Sequence, residues 1–452
     1  MDSPAPRRDD LIVLGADQIR RRARKAAAIG LAGGLLYVLV GPGTGPPAAG
    51  EEIPTAPEVR ALHPDTGETG GGPAESSLAA LQADLTYALP AAQVDPALAA
   101  VEGDRLVQVM DDGTRIELTL DPMLQRAATR TLEKYKVDYG VVIAIRPATG
   151  EILALAEHAE HRPELTHLAL QAEGPAASLF KLVSAAALLE LTDLKPEDSI
   201  CTHGGLKGLG LEHLRANSAL DKRCQTFAEA LGASNNPAFA RWADQLLRPA
   251  QLQAMADRFL FNRRLPFLWG VAVSRVRIPT GSRLAFARSA AGFEGSQLSP
   301  LHAALIVAAI ANDGVMMAPR LVARAVRGEQ ELYRATPARL TQVLRPEIAR
   351  QLRQMMVETT TSGTGRKFFE KGGKPRLPVA VAGKTGSLSA HDTGVTRHYS
   401  WFVGAAPAEA PEIAVASLVV NGEEWTVKGI VPAREILDTY FKMKETGSPA
   451  AR

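Results

Sequence analysis

Two rhythms of apolar and polar positions run along this chain, and they place its elements. From Pro122 to Tyr135, residues Leu124, Ala127, Ala128, Leu132 and Tyr135 recur at helical spacing on one side, which predicts an amphipathic helix. Two strand-like runs follow, Gly140–Ile145 and Ile152–Ala156, joined by a turn containing Thr149-Gly150. Residues 178–191 read as strongly helical, and the chain stays mostly helical through residue 312. Three more strand-like runs come late, Val379–Ala382, Tyr399–Ala405 and Ile413–Val420, before a last helix over about 432–443. Nearer the start, Leu106–Met110 and Arg115–Leu120 flank Asp111-Asp112-Gly113-Thr114, a hairpin signal. Strands from both ends of one domain, with helices between them, predict an α+β fold. Its antiparallel sheet has about five strands and is covered by helices, with an all-helical subdomain. No internal repeat is visible.

The first hundred residues have a different character. A basic cluster, Arg20, Arg21, Arg22, Arg24 and Lys25, precedes an uncharged run from Ala26 to Gly41 that Pro42 stops. Its 16 residues sit at the short edge of what spans a bilayer, where roughly 17–25 are usual. The flanking cations can snorkel and Tyr37 suits an interface, so the expectation is a single transmembrane helix over 26–41. Basic residues stay inside, which puts a cytoplasmic tail at 1–25 and everything after Pro42 on the periplasmic, extracytoplasmic side of the inner membrane. A cleaved signal peptide, using Ala48 and Gly50, is the rival reading, and a buried helix of a soluble domain also fits the length. Residues 42–76, rich in Gly, Pro, Ala and Glu, read as a flexible linker. Residues 77–114 are a small membrane-proximal segment in which 77–100 form one or two short helices. The main domain is placed at 115–443, with a tail at 444–452.

Composition changes this picture little. An apolar fraction of 46% and a charged fraction of 22% are those of a globular protein, and a formal charge of +2 signals no basic face for nucleic acid. The two cysteines, Cys201 and Cys224, are a candidate disulfide in an exported chain, worth roughly 3 kcal/mol in the chain-entropy model. Two free buried thiols are the alternative. Their spacing fits no metal motif, and neither do His391, Asp392 and His398, which read as residues of a polar loop, so no metal is expected.

Three short patterns carry the chemistry. Ser178-Leu179-Phe180-Lys181 opens a helix, Ser234-Asn235-Asn236 precedes Pro237, and Lys384-Thr385-Gly386-Ser387 ends a predicted strand. Singly each is weak; in this order and context they are specific. Positions i and i+3 share a helix face, so Lys181 can reach the Ser178 hydroxyl, which needs an adjacent base to become a nucleophile. Lys181 serves as that base only if neutral, and apolar neighbours together with a second cation, Lys384, depress its pKa. A backbone N–H at the start of the helix is a candidate oxyanion donor, and the strand at Ser387 a second one.

These motifs resemble the transpeptidase domain of penicillin-binding proteins, acyl-serine enzymes related to serine β-lactamases. The resemblance covers roughly residues 115–443 and includes Leu118-Thr119-Leu120-Asp121-Pro122, Arg146-Pro147-Ala148-Thr149-Gly150-Glu151, Leu298-Ser299-Pro300-Leu301, Ser362-Gly363-Thr364-Gly365 and Ser400-Trp401-Phe402-Val403-Gly404. It implies a peptidoglycan D,D-transpeptidase that cross-links stem peptides and is acylated by β-lactams as inhibitors. Ser178 is then the nucleophile and Lys181 the base. Ser234 relays a proton to the leaving amine, and Asn236 orients the substrate amide. Lys384, Thr385, Gly386 and Ser387 line the carboxylate end of the cleft, and the N–H groups of Ser178 and Ser387 form the oxyanion hole. No cofactor is implied. A D,D-carboxypeptidase or a β-lactamase has the same fold, and a non-catalytic β-lactam sensor or scaffold is the alternative of another class. About 75 residues between Pro42 and the domain start leave no room for a glycosyltransferase domain or a large pedestal, so docking to a cell-wall polymerase partner stays open. Many relatives carry proline after the motif lysine; here it is Leu182, a difference without a mechanistic reading.

Overall fold

The computed structural model describes residues 93–447 apart from 161–164, 206–207 and 393–394. The tail, transmembrane helix and linker expected over 1–76 lie outside the described residues, as does the membrane-proximal segment up to residue 92. Among the described residues, no helix is long and apolar enough to cross a membrane.

The chain begins with three short strands, β1 (Ala100–Glu102), β2 (Arg105–Val109) and β3 (Thr114–Leu118), and then enters helix α1 (Pro122–Tyr135). Asp121 caps α1 by accepting from the N–H groups of Met123 and Leu124, and Pro122 at the first position gives up a donor that the helix does not need. Strands β4 (Tyr139–Ile145) and β5 (Ile152–His158) follow. Next come helix α2 (Lys181–Leu191) and a hairpin of β6 (Ser199–Thr202) with β7 (Arg223–Thr226). A helical stretch then holds α3 (Phe227–Gly232), α4 (Asn236–Leu246), α5 (Pro249–Arg258), α6 (Arg283–Ala290) and α7 (Pro300–Ala311). The pair β8 (Val322–Arg327) and β9 (Gln330–Arg334) leads to α8 (Pro346–Thr361), strands β10 (Ala382–Asp392), β11 (Val395–Ala406) and β12 (Ile413–Asn421), and α9 (Ile430–Glu445).

The central sheet has five antiparallel strands in the order β10-β11-β12-β4-β5, which matches the expected strand number. Every residue of β4 and β12 is buried, because both faces of the sheet are covered. Val141, Ile143 and Ile145 face a core shared with α2 and α7, while Val142 and Ala144 face a second core closed by α1 and α9. Helix α7 is buried along all 12 residues and α2 along all but Glu190, as suits helices that are apolar on every side.

Most of the stretch read as short helices, 77–92, lies outside the described residues; near its end the chain makes a 3₁₀ turn at Pro96–Leu98. The run read as a small separate segment feeds a second five-stranded sheet, β1-β2-β3-β8-β9, in which β3 pairs with β2 on one side and β8 on the other. That sheet crosses the boundary read at 114/115, because its partner strand lies some 200 residues downstream, beyond the reach of local pattern. The strand read at Val379–Ala382 instead starts at Ala382 and runs to Asp392. Lys384–Ser387 therefore lie inside it rather than at its end. A stretch made of Gly, Lys, Thr and Ser has little β-propensity of its own, and pairing with β11 decides its state. His391 and Asp392 lie on this strand and His398 on β11, so the polar loop expected there is a paired ribbon.

Asp121→Ala removes the α1 cap and should lower stability by about 1 kcal/mol, read as a reduced urea midpoint with an unchanged slope.

Candidate active site

The site is assembled from three separate parts of the chain. Ser178 lies in a 3₁₀ turn, Ala177–Phe180, that passes directly into α2 at Lys181. The serine thus sits one turn ahead of the α-helix rather than opening it. The turn is wedged in place. Trp401 of β11 donates from Nε1 to the Pro175 carbonyl at 2.9 Å. A Cβ on Gly386 would meet the Leu179 side chain at 3.4 Å and the Ala176 carbonyl at 3.5 Å, so β10 and the serine turn are in close contact. Ala177 takes φ of 48°, a left-handed conformation that a non-glycine residue holds only when its surroundings impose it. Gly292 supplies part of that frame: a Cβ there would fall 2.2 Å from the Ala177 carbonyl oxygen.

Lys181 is fully buried and its Nζ has three neighbours. It donates to the Ala291 carbonyl at 2.5 Å and to Asn236 Oδ1 at 2.7 Å, and it lies 3.1 Å from Ser178 Oγ. Two of these are obligate acceptors; the third is a hydroxyl. A neutral amine has two N–H donors and one lone pair, so it can satisfy both acceptors and still take a proton from the serine. The electrostatics favour that form. Burial first, and the Lys384 charge second, hold the Lys181 ammonium well below its ordinary range.

The second lysine is paired in the same manner. Lys384, also fully buried, donates to Ser234 Oγ at 2.9 Å and to the Thr385 carbonyl at 2.9 Å, and burial pulls its pKa down to about 7. Ser234 has φ of 55°, which turns the chain ahead of α4. Asn236, the first residue of that helix, donates from Nδ2 to the Gly205 carbonyl at 3.0 Å, fixing the orientation in which Oδ1 meets Lys181. β10 is the edge strand of the sheet, so backbone groups on its outer side, around Ser387, are not used by β11. Thr385 Oγ1 meets Thr364 Oγ1 at 2.6 Å.

A family model described as the penicillin binding protein transpeptidase domain matches residues 140–440, two thirds of the chain. The chain belongs to this family. Peptidoglycan D,D-transpeptidase PbpA of Mycobacterium tuberculosis is 30% identical over 347 residues, covering 69% of this chain and 68% of that protein. Stage V sporulation protein D of Bacillus subtilis is 24% identical over 334 residues, covering 69% of this chain and 50% of the relative. Among solved structures, the imipenem acyl-enzyme complex of M. tuberculosis penicillin-binding protein A aligns at a TM-score of 0.59 with 26% identity, over 73% of this chain and 80% of that one. Penicillin-binding protein 3 of M. tuberculosis, at 20% identity and a TM-score of 0.61 over 78% of this chain and 82% of that one, shares the fold.

Within this penicillin-binding domain, every residue singled out in the three motifs lies on the turn, helix start or strand just described. Three other participants were not singled out from the sequence as site residues. The Ala291 and Gly205 carbonyls act through the backbone, for which residue type carries no signal. Thr364 lies in the Ser362-Gly363-Thr364-Gly365 stretch, noticed only as part of the resemblance. Cys201 and Cys224 are joined in a disulfide across the β6–β7 hairpin, directly opposite each other in register.

Between about pH 7 and 10.5 the unfolded chain retains the Lys384 proton that the folded protein has lost, so stability rises with pH across that window. Urea midpoints should climb from about pH 7 to about pH 9 in the wild type and climb less in Lys384→Met. Equal climbs would mean that Lys384 stays protonated in the fold.

Proposed function

We propose that this chain is a serine D,D-transpeptidase that cross-links peptidoglycan stem peptides and that β-lactams inhibit by acylating Ser178. The observation that carries the reading is the Ser178 hydroxyl 3.1 Å from a buried lysine whose other two hydrogen bonds go to acceptors. Ser178 attacks the penultimate D-Ala carbonyl while Lys181 takes its proton. The oxyanion that forms is met by the N–H groups of Ser178 and Ser387, an arrangement in which losing one donor typically costs about 2.7–4 kcal/mol of transition-state stabilisation. Ser234 passes its proton to the leaving D-Ala amine and takes one from Lys384, whose Nζ donates to its hydroxyl. Asn236 holds Lys181 and the substrate amide, and Lys384, Thr385, Gly386 and Ser387 receive the terminal carboxylate.

The acyl-enzyme then waits for an amine. A neighbouring stem peptide gives a cross-link, whereas water gives a carboxypeptidase. The relatives named as D,D-transpeptidases support the first outcome. The basic cluster followed by Ala26–Gly41 supports a single-pass anchor in the inner membrane with the catalytic domain outside, where stem peptides are found. A cell-wall polymerase partner supplying new glycan fits this placement.

Intact-mass spectrometry of the full chain with a penicillin should show one stable adduct on wild type and none on Ser178→Ala. An adduct on the variant would sink the assignment of the nucleophile. Hydrolysed drug without an adduct would make the protein a β-lactamase, and intact drug without an adduct a silent scaffold. With a stem peptide ending in D-Ala-D-Ala and an added amine, D-Ala should be released together with the amide product. Release into water alone would mark a carboxypeptidase.

Lys384→Met removes the cation that helps keep Lys181 neutral. The acidic limb of the pH–acylation profile should therefore move to higher pH, and an unmoved limb would show that burial alone sets the base.

A further inference from the structure

Asn235 stands between Ser234 and Asn236 but turns away from the nucleophile into a buried pocket of its own, 3% exposed. Its amide nitrogen donates to Thr202 Oγ1 on β6 at 3.0 Å and to Gln225 Oε1 on β7 at 2.9 Å, which uses both of its hydrogens. Its Oδ1 accepts from the Ala238 N–H at 3.1 Å and caps α4. Thr202 and Gln225 are the immediate neighbours of Cys201 and Cys224, which pair directly across the hairpin and are joined by the disulfide. One amide therefore spans the two strands that the disulfide locks together.

Two further connections lead from the same hairpin to the same helix. The chain leaving β6 reaches Gly205, whose carbonyl accepts from Asn236 Nδ2 at 3.0 Å. Arg241, five residues along α4 from Asn236 and 2% exposed, donates to the Cys201 carbonyl at 2.9 Å and to Asp221 Oδ2 at 3.0 Å. Ser234, with φ of 55°, has a conformation that its own residue type does not favour. What holds it is the segment that follows, because both Asn235 and the helix after it are fastened to the hairpin.

The geometry assigns Asn235 as a positioning residue of the acylation reaction, acting together with the Cys201–Cys224 hairpin. The hairpin fixes Asn235 and Gly205; these fix Ser234 and Asn236; Asn236 fixes Lys181 against Ser178. No atom of Asn235 or the disulfide touches substrate in this assignment. Their effect is to keep the base and the proton relay at hydrogen-bonding distance, so it falls on the rate of acylation rather than on initial drug binding. The assignment rests on Ser178 and Lys181 carrying the reaction as proposed above.

The test is a mutant cycle on the full chain, following the first-order acylation constant and the preceding dissociation constant for one penicillin. Rates are expressed per folded active site, counted from the final adduct. Asn235→Ala and the double change Cys201→Ser with Cys224→Ser should each slow acylation, roughly 10- to 100-fold for Asn235→Ala, with a smaller change in the dissociation constant. Combined, they should slow it by less than the product of the two effects, because they interrupt one connection. Thr202→Val with Gln225→Met removes the partners of Asn235 while leaving its cap on α4, and it should reproduce most of the Asn235→Ala effect. If Asn235→Ala does not fold, this second variant decides the matter alone. Acylation at the wild-type rate per folded site, or effects that multiply, would overturn the assignment while leaving Ser178 in its role. A wild type that penicillin never acylates would overturn the functional reading, and this assignment with it.

Discussion

Two lysine side chains share one buried site, and the rest of the structure follows from what that requires. Removing an ammonium from water is costly unless the charge is paired, yet among the described residues no carboxylate hydrogen-bonds Lys181 or Lys384. Carbonyls, an asparagine amide and serine hydroxyls surround them instead. These partners satisfy an amine but do not compensate a full positive charge, so both groups are pushed toward neutrality. An aspartate in place of Asn236 would have held Lys181 charged and useless as a base.

Such a site needs rigid acceptors supplied from several directions, and the fold provides them from elements far apart in sequence. α2 brings Lys181, the end of α6 brings the Ala291 carbonyl, the start of α4 brings Asn236, and β10 brings Lys384 from some 200 residues downstream. The sheet is what makes the last of these reliable. β10 is held along its length by β11, and Trp401 of β11 also grips the turn that carries Ser178. The nucleophile and the carboxylate end of the cleft are thereby referred to the same strand pair.

Two of the seven non-glycine residues with left-handed backbone among the described residues border the site. Ala177 and Ser234 both adopt left-handed conformations, one just before the nucleophile and one at the proton relay. Neither is a glycine, so each depends on surrounding contacts: Gly292 and Trp401 around the first, and the buried Asn235 beside the second. The strain is a consequence of presenting short hydroxyl side chains at fixed points above a packed core.

The sequence alone determined the class of chemistry and most of the frame. Ser178 and Lys181 are three apart in a helical run, so their meeting is a local matter that spacing decides. The apolar runs that became β4, β5, β11 and β12 were legible for the same reason, since burial on both faces leaves continuous hydrophobic segments. Tertiary structure decided the rest. β10 has the composition of a loop and becomes a strand because β11 offers it hydrogen bonds. The Thr114–Leu118 strand joins a sheet whose other half comes some 200 residues later. The meeting of Ser234 with Lys384, and of Lys181 with the Ala291 carbonyl, depends on chain segments 150 and 110 residues apart. A carbonyl is the same in every residue, and a distant pairing leaves no periodicity behind, so only the folded chain could bring these groups to Ser178.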